Sequence, residues 1–363
     1  MAAVVGASLV LPGCSMWLVR DPVFLAPGAW AEAVRLQGVD PANVPNPVES
    51  GPELEAFARE VAGSGSMFER LTRLQNALFD RSLFTIDQEA RETLTAVEAF
   101  RAKRGNCVSF TNLFLALARS LGIQLQAGLV HQRESSERKE DLVLVYTHMV
   151  AVVRFVKGFA IYDFYAASER RGAEIRLVDD IVLTGILQSN RGVSALRSRD
   201  YPLALARFND AVRLAPQFTG AWGNLGLVQW KIGAPREALE SFRRALAIDS
   251  REPTVLHNLA ALYLSEGNEA SARAALAAAD SSTVSAHTLI VRGDLDLSAG
   301  NVKGALRSYR QARSVAPKST DPLVAISRAE MIRGNRDAAR EALEKAARLA
   351  PGDAVIQKLL ESL

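Results

Sequence analysis

Apolar positions in the C-terminal half of the chain recur with a period of about 34 residues. Two series of alanines, seven residues apart, advance in steps of 34, 34, 33 and 34: Ala204, Ala238, Ala272, Ala305 and Ala339, then Ala211, Ala245, Ala279, Ala312 and Ala346. Large apolar residues follow the first series by four positions, at Phe208, Phe242, Leu276, Tyr309 and Leu343. This pattern predicts repeated pairs of antiparallel helices.

The spacing has a packing explanation. Antiparallel helices approach closely only where one of them presents a small side chain, and the large side chain fills the groove between repeats. Glycines at 233, 267, 300 and 334 supply the left-handed turn that ends each first helix. Trp222 with Leu225 and Gly226 completes a resemblance to tetratricopeptide repeats. The predicted units are 185–218, 219–252, 253–285, 286–319 and 320–353, with a capping helix over 354–363.

The resemblance implies a binding function for this half of the chain. Arrays of this family curve so that the first helix of every unit lines a concave face, where a protein or peptide partner is held. The alternative is that the groove packs on the chain's own N-terminal half. His257 and His287 lie in these helices, where lone histidines are expected to be surface or packing residues rather than ligands.

An apolar helical face also follows Cys107. The residues at offsets 3, 6, 7, 10 and 14 from the cysteine are Phe110, Leu113, Phe114, Leu117 and Leu121. They fall on one face of a helix. Asn106 is a good N-cap and places Cys107 in the first turn, where unpaired N–H groups and the helix dipole favour a thiolate. The position suits a nucleophile.

Strand patterns come after this helix. The predicted strands cover 124–131, 142–146, 149–156 and 159–165. His148 immediately precedes the third of them and Asp163 lies in the fourth, while the charged segment 132–141 is expected to be a loop and Lys157–Gly158 a turn. We therefore expect an α+β domain with an antiparallel sheet.

A thiol at a helix start, then a histidine and a carboxylate on successive strands, is the order found in transglutaminase-like and related papain-type thiol enzymes. The chain resembles that superfamily across about residues 66–165, and the segment 104–123 is similar to its nucleophile helix. The resemblance implies that Cys107 is the nucleophile, His148 the general base and Asp163 the group that orients the imidazole. A positioned imidazole contributes about 10²- to 10⁴-fold to such a reaction. No cofactor is expected.

Several alternatives remain open at this point. A two-residue turn at Lys157–Gly158 would not set Asp163 opposite His148, so the triad needs a bulge or a longer turn. Asp163 could instead be an ordinary strand-end carboxylate, His131 could be the base, and Cys107 could be a buried small hydrophobe. A metal site built from Cys107, His131 and His148 is disfavoured because no close-spaced ligand pair exists.

The N-terminus is apolar and uncharged over its first eleven residues. That length suits the hydrophobic region of a signal peptide but is too short to span a bilayer. The segment Leu11–Ser15 resembles the lipobox of bacterial lipoproteins, which implies that Cys14 carries lipid. The same resemblance implies a bacterial cell-envelope location, on the periplasmic face of the outer membrane because Ser15 follows. The alternative is a cytosolic protein with a disordered apolar N-terminus.

Composition and charge limit the classes of binding partner that the chain is expected to have. The chain has 363 residues, 48% of them hydrophobic, with 43 basic and 40 acidic side chains, so it suits two globular domains and gives no indication of nucleic-acid binding. The predicted fold class is an α+β transglutaminase-like or cysteine-protease-like domain followed by an all-α tetratricopeptide solenoid. The predicted organisation is a signal peptide over 1–14, a linker over 15–50, the α+β domain over 51–170 and the repeats over 185–363.

Two functions from different classes fit these features. The leading interpretation is a lipoprotein whose thiol domain hydrolyses or transfers an amide through a Cys107 thioester, while the repeats hold a protein substrate or partner. Hydrolysis is favoured over cross-linking. The second interpretation is a non-catalytic scaffold, in which a degenerate thiol domain persists for structure or binding.

Overall fold

The computed structural model describes residues 8–10, 25, 28–87, 92–131, 136–139, 142–145, 148–155, 158–164, 174–279 and 286–363. The chain divides into two compact units. The first contains residues 1–135 and 146–228, and the second contains residues 136–145 and 229–363. The first unit therefore combines the α+β region with the first predicted repeat.

Helices account for most of the described elements. They are α1 (Trp30–Leu36), α2 (Pro52–Ala62), α3 (Met67–Phe79), α4 (Ala96–Ala102), α5 (Cys107–Ser120), α6 (Asp180–Arg197), α7 (Tyr201–Leu214), α8 (Thr219–Lys231), α9 (Pro235–Ile248), α10 (Pro253–Ser265), α11 (Glu269–Ala279), α12 (Ala286–Ser298), α13 (Val302–Val315), α14 (Asp321–Ile332), α15 (Arg336–Leu349) and α16 (Ala354–Glu361). The strands are β1 (Ser8–Val10), β2 (Thr85–Ile86), β3 (Arg104–Gly105), β4 (Gln126–His131), β5 (Ser136–Lys139), β6 (Leu142–Val145), β7 (His148–Phe155), β8 (Gly158–Tyr162) and β9 (Glu174–Val178).

The main sheet of the first unit has the strand order β1-β8-β7-β4-β9, and each neighbouring pair is antiparallel. Helix α5 packs against this sheet: the ring of Phe114 lies 4.9 Å from that of Tyr162, and the hydroxyl of Thr111 donates to the carbonyl of Met149 at 3.2 Å. A cluster of sheet residues is buried with Phe159 at its edge: Val130, Val150, Val152, Ile161, Ile175 and Leu177. The predicted α+β architecture is confirmed.

The register between β7 and β8 determines where Asp163 lies. Phe155 pairs with Gly158, so Gly158 is a strand residue, whereas the sequence indicated that it belongs to the turn. Continued one residue past β8, this register sets Asp163 opposite Val150. Because Val150 is two residues from His148, the carboxylate becomes a diagonal neighbour of the imidazole, within reach of its side chain.

Part of the predicted linker is packed in the first unit. A buried cluster joins residues before position 50 to helices α6 and α7, and its members are Val34, Val39, Val44 and Leu214, with Trp30 and Ile181 at its edge. The indole N–H of Trp30 also donates to Thr184 Oγ1 at 3.0 Å. Residues 28–50 therefore differ from the expected tether, because their valines pack against residues that are distant in sequence.

The second unit consists of the hairpin β5–β6 and the helices after α8. The alanines that recur in the sequence are completely buried here, for example Ala238, Ala272 and Ala305. The turn glycines have left-handed φ values of 81°, 73°, 75° and 83° at Gly233, Gly267, Gly300 and Gly334. The predicted all-α repeat region is confirmed. The charged segment expected to be a loop instead contributes β5, whose backbone pairs with that of β6.

The signal peptide and the lipid anchor stay predictions. Ser8–Val10, inside the predicted signal peptide, pair with Phe159–Ile161 of β8. Cys14 and Ser15 lie outside the described residues. Across the described ranges, no helix is both long and apolar enough to cross a membrane.

Candidate thiol site

Cys107 is the first residue of α5 and is partly exposed. The helix begins here because Asn106 has extended backbone angles, φ −82° and ψ 179°, and its Oδ1 accepts a hydrogen bond from the Ser109 N–H at 3.0 Å. Gly105 is required for close approach, since a Cβ at this position would lie 2.6 Å from Cβ of Ser109. The thiol therefore occupies a helix N-terminus, where unpaired N–H groups can stabilise negative charge.

His148 and Asp163 meet at one end of the β7–β8 pair. Nε2 of His148 lies 3.0 Å from Oδ2 of Asp163, and their side chains are 7% and 1% exposed. The adjacent Phe164 packs against three rings, at centroid distances between 5.4 and 6.1 Å: Phe79, Phe110 and Phe114. These aromatic contacts hold the backbone that carries the carboxylate.

The imidazole also interacts with the thiol of Cys107. Burial by itself would lower the pKa of His148, but the hydrogen bonds to Asp163 and Cys107 and the attraction to both groups raise that pKa to about 9. The imidazole is therefore protonated in the neutral range. The structure thus brings the three predicted catalytic residues together, in the order thiol, imidazole, carboxylate.

The backbone of His131 and the side chain of His257 have other partners. His131 ends β4, and its backbone pairs with Glu174 of β9, whereas Val130 is the residue that pairs with His148. His257 is buried in α10, where its Nε2 lies 2.6 Å from Oγ1 of Thr288. In the described part of the chain, no group of three or more His, Cys, Asp or Glu side chains is arranged to hold a metal ion.

A polar network around the start of α5 was missed by the sequence reasoning. Ser109 Oγ accepts from the Leu94 N–H at 2.8 Å and donates to Asn106 Oδ1 at 2.9 Å. Asn106 Nδ2 donates to Thr93 Oγ1 at 3.0 Å, and Asn112 Nδ2 donates to the Leu94 carbonyl at 3.0 Å. The available signal was three polar residues within a largely apolar helix, Ser109, Thr111 and Asn112, all of which the structure buries completely.

Lys103 holds the backbone that enters the site. It ends α4 in the left-handed conformation, at φ 53°. Its ammonium lies 3.7, 4.7 and 5.6 Å from the ring centroids of Phe100, Phe84 and Phe57. Such cation–π contacts favour one position of the side chain. Lys103 therefore fixes the chain four residues before the thiol.

The fold and this site define a Cys-His-Asp thiol domain followed by a helical repeat array. Residues 55–164 match the family model of the transglutaminase-like superfamily, and residues 190–253 and 296–363 match models of the tetratricopeptide repeat. The N-terminal domain of the chain belongs to the transglutaminase-like superfamily and is followed by tetratricopeptide repeats, as the sequence predicted.

Solved structures similar to this chain include several repeat proteins. TTC0263, a thermophilic TPR protein of Thermus thermophilus, is 23% identical, with 49% of this chain and 97% of that chain covered and a TM-score of 0.47. PilW, a type IV pilus biogenesis factor, is 18% identical, with 49% and 86% covered and a TM-score of 0.42. YrrB, a TPR protein with an unusual peptide-binding site, is 19% identical, with 49% and 92% covered and a TM-score of 0.35. Comparison with curated protein sequences finds no match.

Proposed function

We propose that this protein is a lipid-anchored cell-envelope protein whose transglutaminase-like domain acts on amide bonds of a protein or peptide through a Cys107 thioester. The observation that carries the proposal is the series of Cys107, His148 and Asp163, in which the imidazole lies 3.0 Å from the carboxylate and interacts with the thiol. Thiol, imidazole and carboxylate in this order are what nucleophilic catalysis by cysteine requires.

The chemistry follows from the geometry. Asp163 contacts Nε2 of His148, so Nδ1 is the ring nitrogen available to the thiol. The thiolate attacks the amide carbonyl, and the imidazolium protonates the departing amine as the C–N bond breaks, which leaves a thioester on Cys107. Water, or an acceptor amine, then gives a proton to the imidazole and displaces the thiolate. Hydrolysis or acyl transfer results, according to the acceptor.

The repeats supply the binding part of the proposal. Tetratricopeptide repeats following the thiol domain fit a role in protein interaction. We propose that a protein or peptide bound in their groove is the substrate or recruits it. The lipid anchor rests on the Leu11–Ser15 motif alone. Metabolic labelling with a fatty-acid analogue, lost in Cys14→Ala, would support the anchor, and equal labelling of both proteins would refute it.

The first experiment measures alkylation of Cys107 by iodoacetamide at pH 6, with peptide mapping by mass spectrometry to separate Cys107 from Cys14. A model thiol with a pKa of about 8.5 is less than about 1% ionised at this pH. We expect Cys107 to react at least about tenfold faster than glutathione, and His148→Ala to remove the advantage. Equal rates for Cys107 and glutathione would overturn the catalytic proposal.

A second experiment separates enzyme from scaffold. Cys107→Ala keeps a small side chain but removes the nucleophile, and Val108→Ala is a matched change at the next position. If the reaction is the function, Cys107→Ala fails to complement a deletion strain while Val108→Ala succeeds. Full complementation by Cys107→Ala would establish the scaffold function instead.

A further inference from the structure

The first helix of the repeat array contacts the end of the nucleophile helix directly, and the start of that helix through residues 93–98. At the end of α5, Arg119 donates to Oδ1 of Asp180, the first residue of α6, at 2.8 Å. Eleven residues further along α6, Arg191 contacts the segment that lies on the start of α5. Eleven helical residues span about 16 Å and the twelve from Cys107 to Arg119 about 18 Å, so contacts at these two positions are consistent with opposite directions of α5 and α6.

Arg191 makes two contacts with residues 93–98. Its Nε donates to the backbone carbonyl of Thr93 at 3.2 Å, and its guanidinium pairs with Oε2 of Glu98. The same carboxylate oxygen accepts from the Thr95 N–H at 2.8 Å and so begins α4. The Arg191 side chain is only 12% exposed. Contacts of this charge-assisted type position a backbone more firmly than neutral hydrogen bonds do.

Thr93 links Arg191 to the residue that precedes the thiol. Its carbonyl accepts from Arg191, while its hydroxyl accepts from Asn106 Nδ2 at 3.0 Å. Asn106 is the cap residue immediately before Cys107, and its other side-chain atom, Oδ1, accepts from the Ser109 N–H. Two hydrogen bonds therefore separate the repeat helix from the residue that fixes the start of the nucleophile helix.

Helix α6 is in turn fixed to its partner helix α7. A Cβ on Gly192, the residue after Arg191, would lie 2.7 Å from the ring of Phe208, so the two helices are in close contact at this point. Arg207 of α7 donates to Gln188 of α6 at 3.1 Å. A movement of the first helical pair therefore carries Arg191 with it.

We propose that Arg191 is a positioning residue for Cys107, through which the first helical pair of the repeat array sets the thiol against His148. The inference rests on the proposed function, since it concerns the reactivity of the same thiol. It makes the first repeat part of the reaction machinery as well as of the binding surface.

The test measures the pH dependence of Cys107 alkylation by iodoacetamide in the full-length protein and in Arg191→Ala. We expect the rate at pH 6 to fall about fivefold to tenfold, the size of one ordinary hydrogen bond, with the midpoint of the profile displaced toward higher pH. Arg191→Lys retains the charge but not the two-sided contact, and is expected to restore the rate only in part.

Arg213→Ala is the matched control. It removes an arginine of the same helical pair, which also donates to a backbone carbonyl, that of Gly38 at 3.1 Å, away from the thiol. Its profile should be that of the unmodified protein. If Arg191→Ala does not fold, Thr93→Val tests the same link by removing the hydroxyl that accepts from Asn106, and should lower the rate at pH 6 in the same direction.

The outcomes separate this inference from the proposed function. A reactive thiol in the unmodified protein with unchanged profiles in Arg191→Ala and Thr93→Val would overturn the positioning role and leave the thiol chemistry standing. A thiol no more reactive than glutathione in the unmodified protein would overturn the proposed function itself. Equal effects of Arg191→Ala and Arg213→Ala would show a general loss of structure and would also overturn the positioning role.

Discussion

The Nε2 atom of His148 lies 3.0 Å from Oδ2 of Asp163, with both side chains buried. Replacing Asp163 by Asn keeps the shape but removes the charge, so burial would lower the pKa of His148. We expect Asp163→Asn to slow Cys107 alkylation at pH 6 by about 10- to 100-fold, measured by mass spectrometry. Asp200→Asn, which neutralises a helix-cap carboxylate of the same unit, serves as the control. Equal rates in the two variants would contradict the role of Asp163.

The His148 interactions also predict a pH dependence of stability. The pKa of His148 rises from 6.5 to about 9 in the folded protein, so folding favours the protonated ring. Its contribution is complete below pH 6.5 and is lost as the pH rises through about 9, with a size on the order of 3 kcal/mol. The urea midpoint of the protein should exceed that of His148→Gln most at pH 6 and least above pH 9. A constant difference would contradict the prediction.

His257 predicts the opposite dependence for the second unit. Burial lowers the pKa of His257 to about 4, so the folded protein favours the neutral ring hydrogen-bonded to Thr288. The contribution is complete above pH 6.5 and is lost as the pH falls toward 4. We expect acid to lower the urea midpoint of the protein more than that of His257→Gln, whose side chain does not titrate. Parallel acid profiles would refute this.

Two helical glycines predict strong intolerance of a methyl group. A Cβ on Gly192 would lie 2.7 Å from the ring of Phe208, and one on Gly293 would overlap the ring of Tyr309. Both rings are completely buried and cannot move aside. Each Gly→Ala change should destabilise the protein by about 1–3 kcal/mol in thermal or urea unfolding.

Gly352→Ala is the control for these two changes. No described atom lies within 4 Å of the added methyl group at this position, and its φ is outside the left-handed range. We expect a change close to zero there. A loss at Gly352 equal to that at Gly192 would mean that overlap with the aromatic rings does not determine the effect.

Much of this molecule could be predicted from local patterns. The 34-residue period reports contacts between neighbouring repeats, and Asn106 reports a helix start, because both depend on residues close in sequence. The register that brings Asp163 near His148 could not be predicted, since pairing Gly158 with Phe155, rather than placing Gly158 in the turn, moves the carboxylate by two positions. Sequence order suggested the three site residues, and three-dimensional packing provides their contacts.

Contacts between residues that are distant in sequence could not be predicted. The valines at 34, 39 and 44 lack helical or strand periodicity as a group, so only their burial against Leu214 shows that they do not belong to a tether. Arg191 likewise has no local feature that distinguishes it from other helical arginines. Its structural role depends on its hydrogen bond to Thr93, which is 98 residues away in sequence.

The contacts of α6 have a consequence for how such a chain can evolve. Repeat arrays gain and lose members readily by duplication or deletion of a gene segment, because every member touches only its neighbours. The first helical pair is different, since its removal would take away groups that Arg119, Thr93 and Glu98 bind. Changes in repeat number are therefore expected beyond α7, while α6 and α7 are inherited together with the thiol domain.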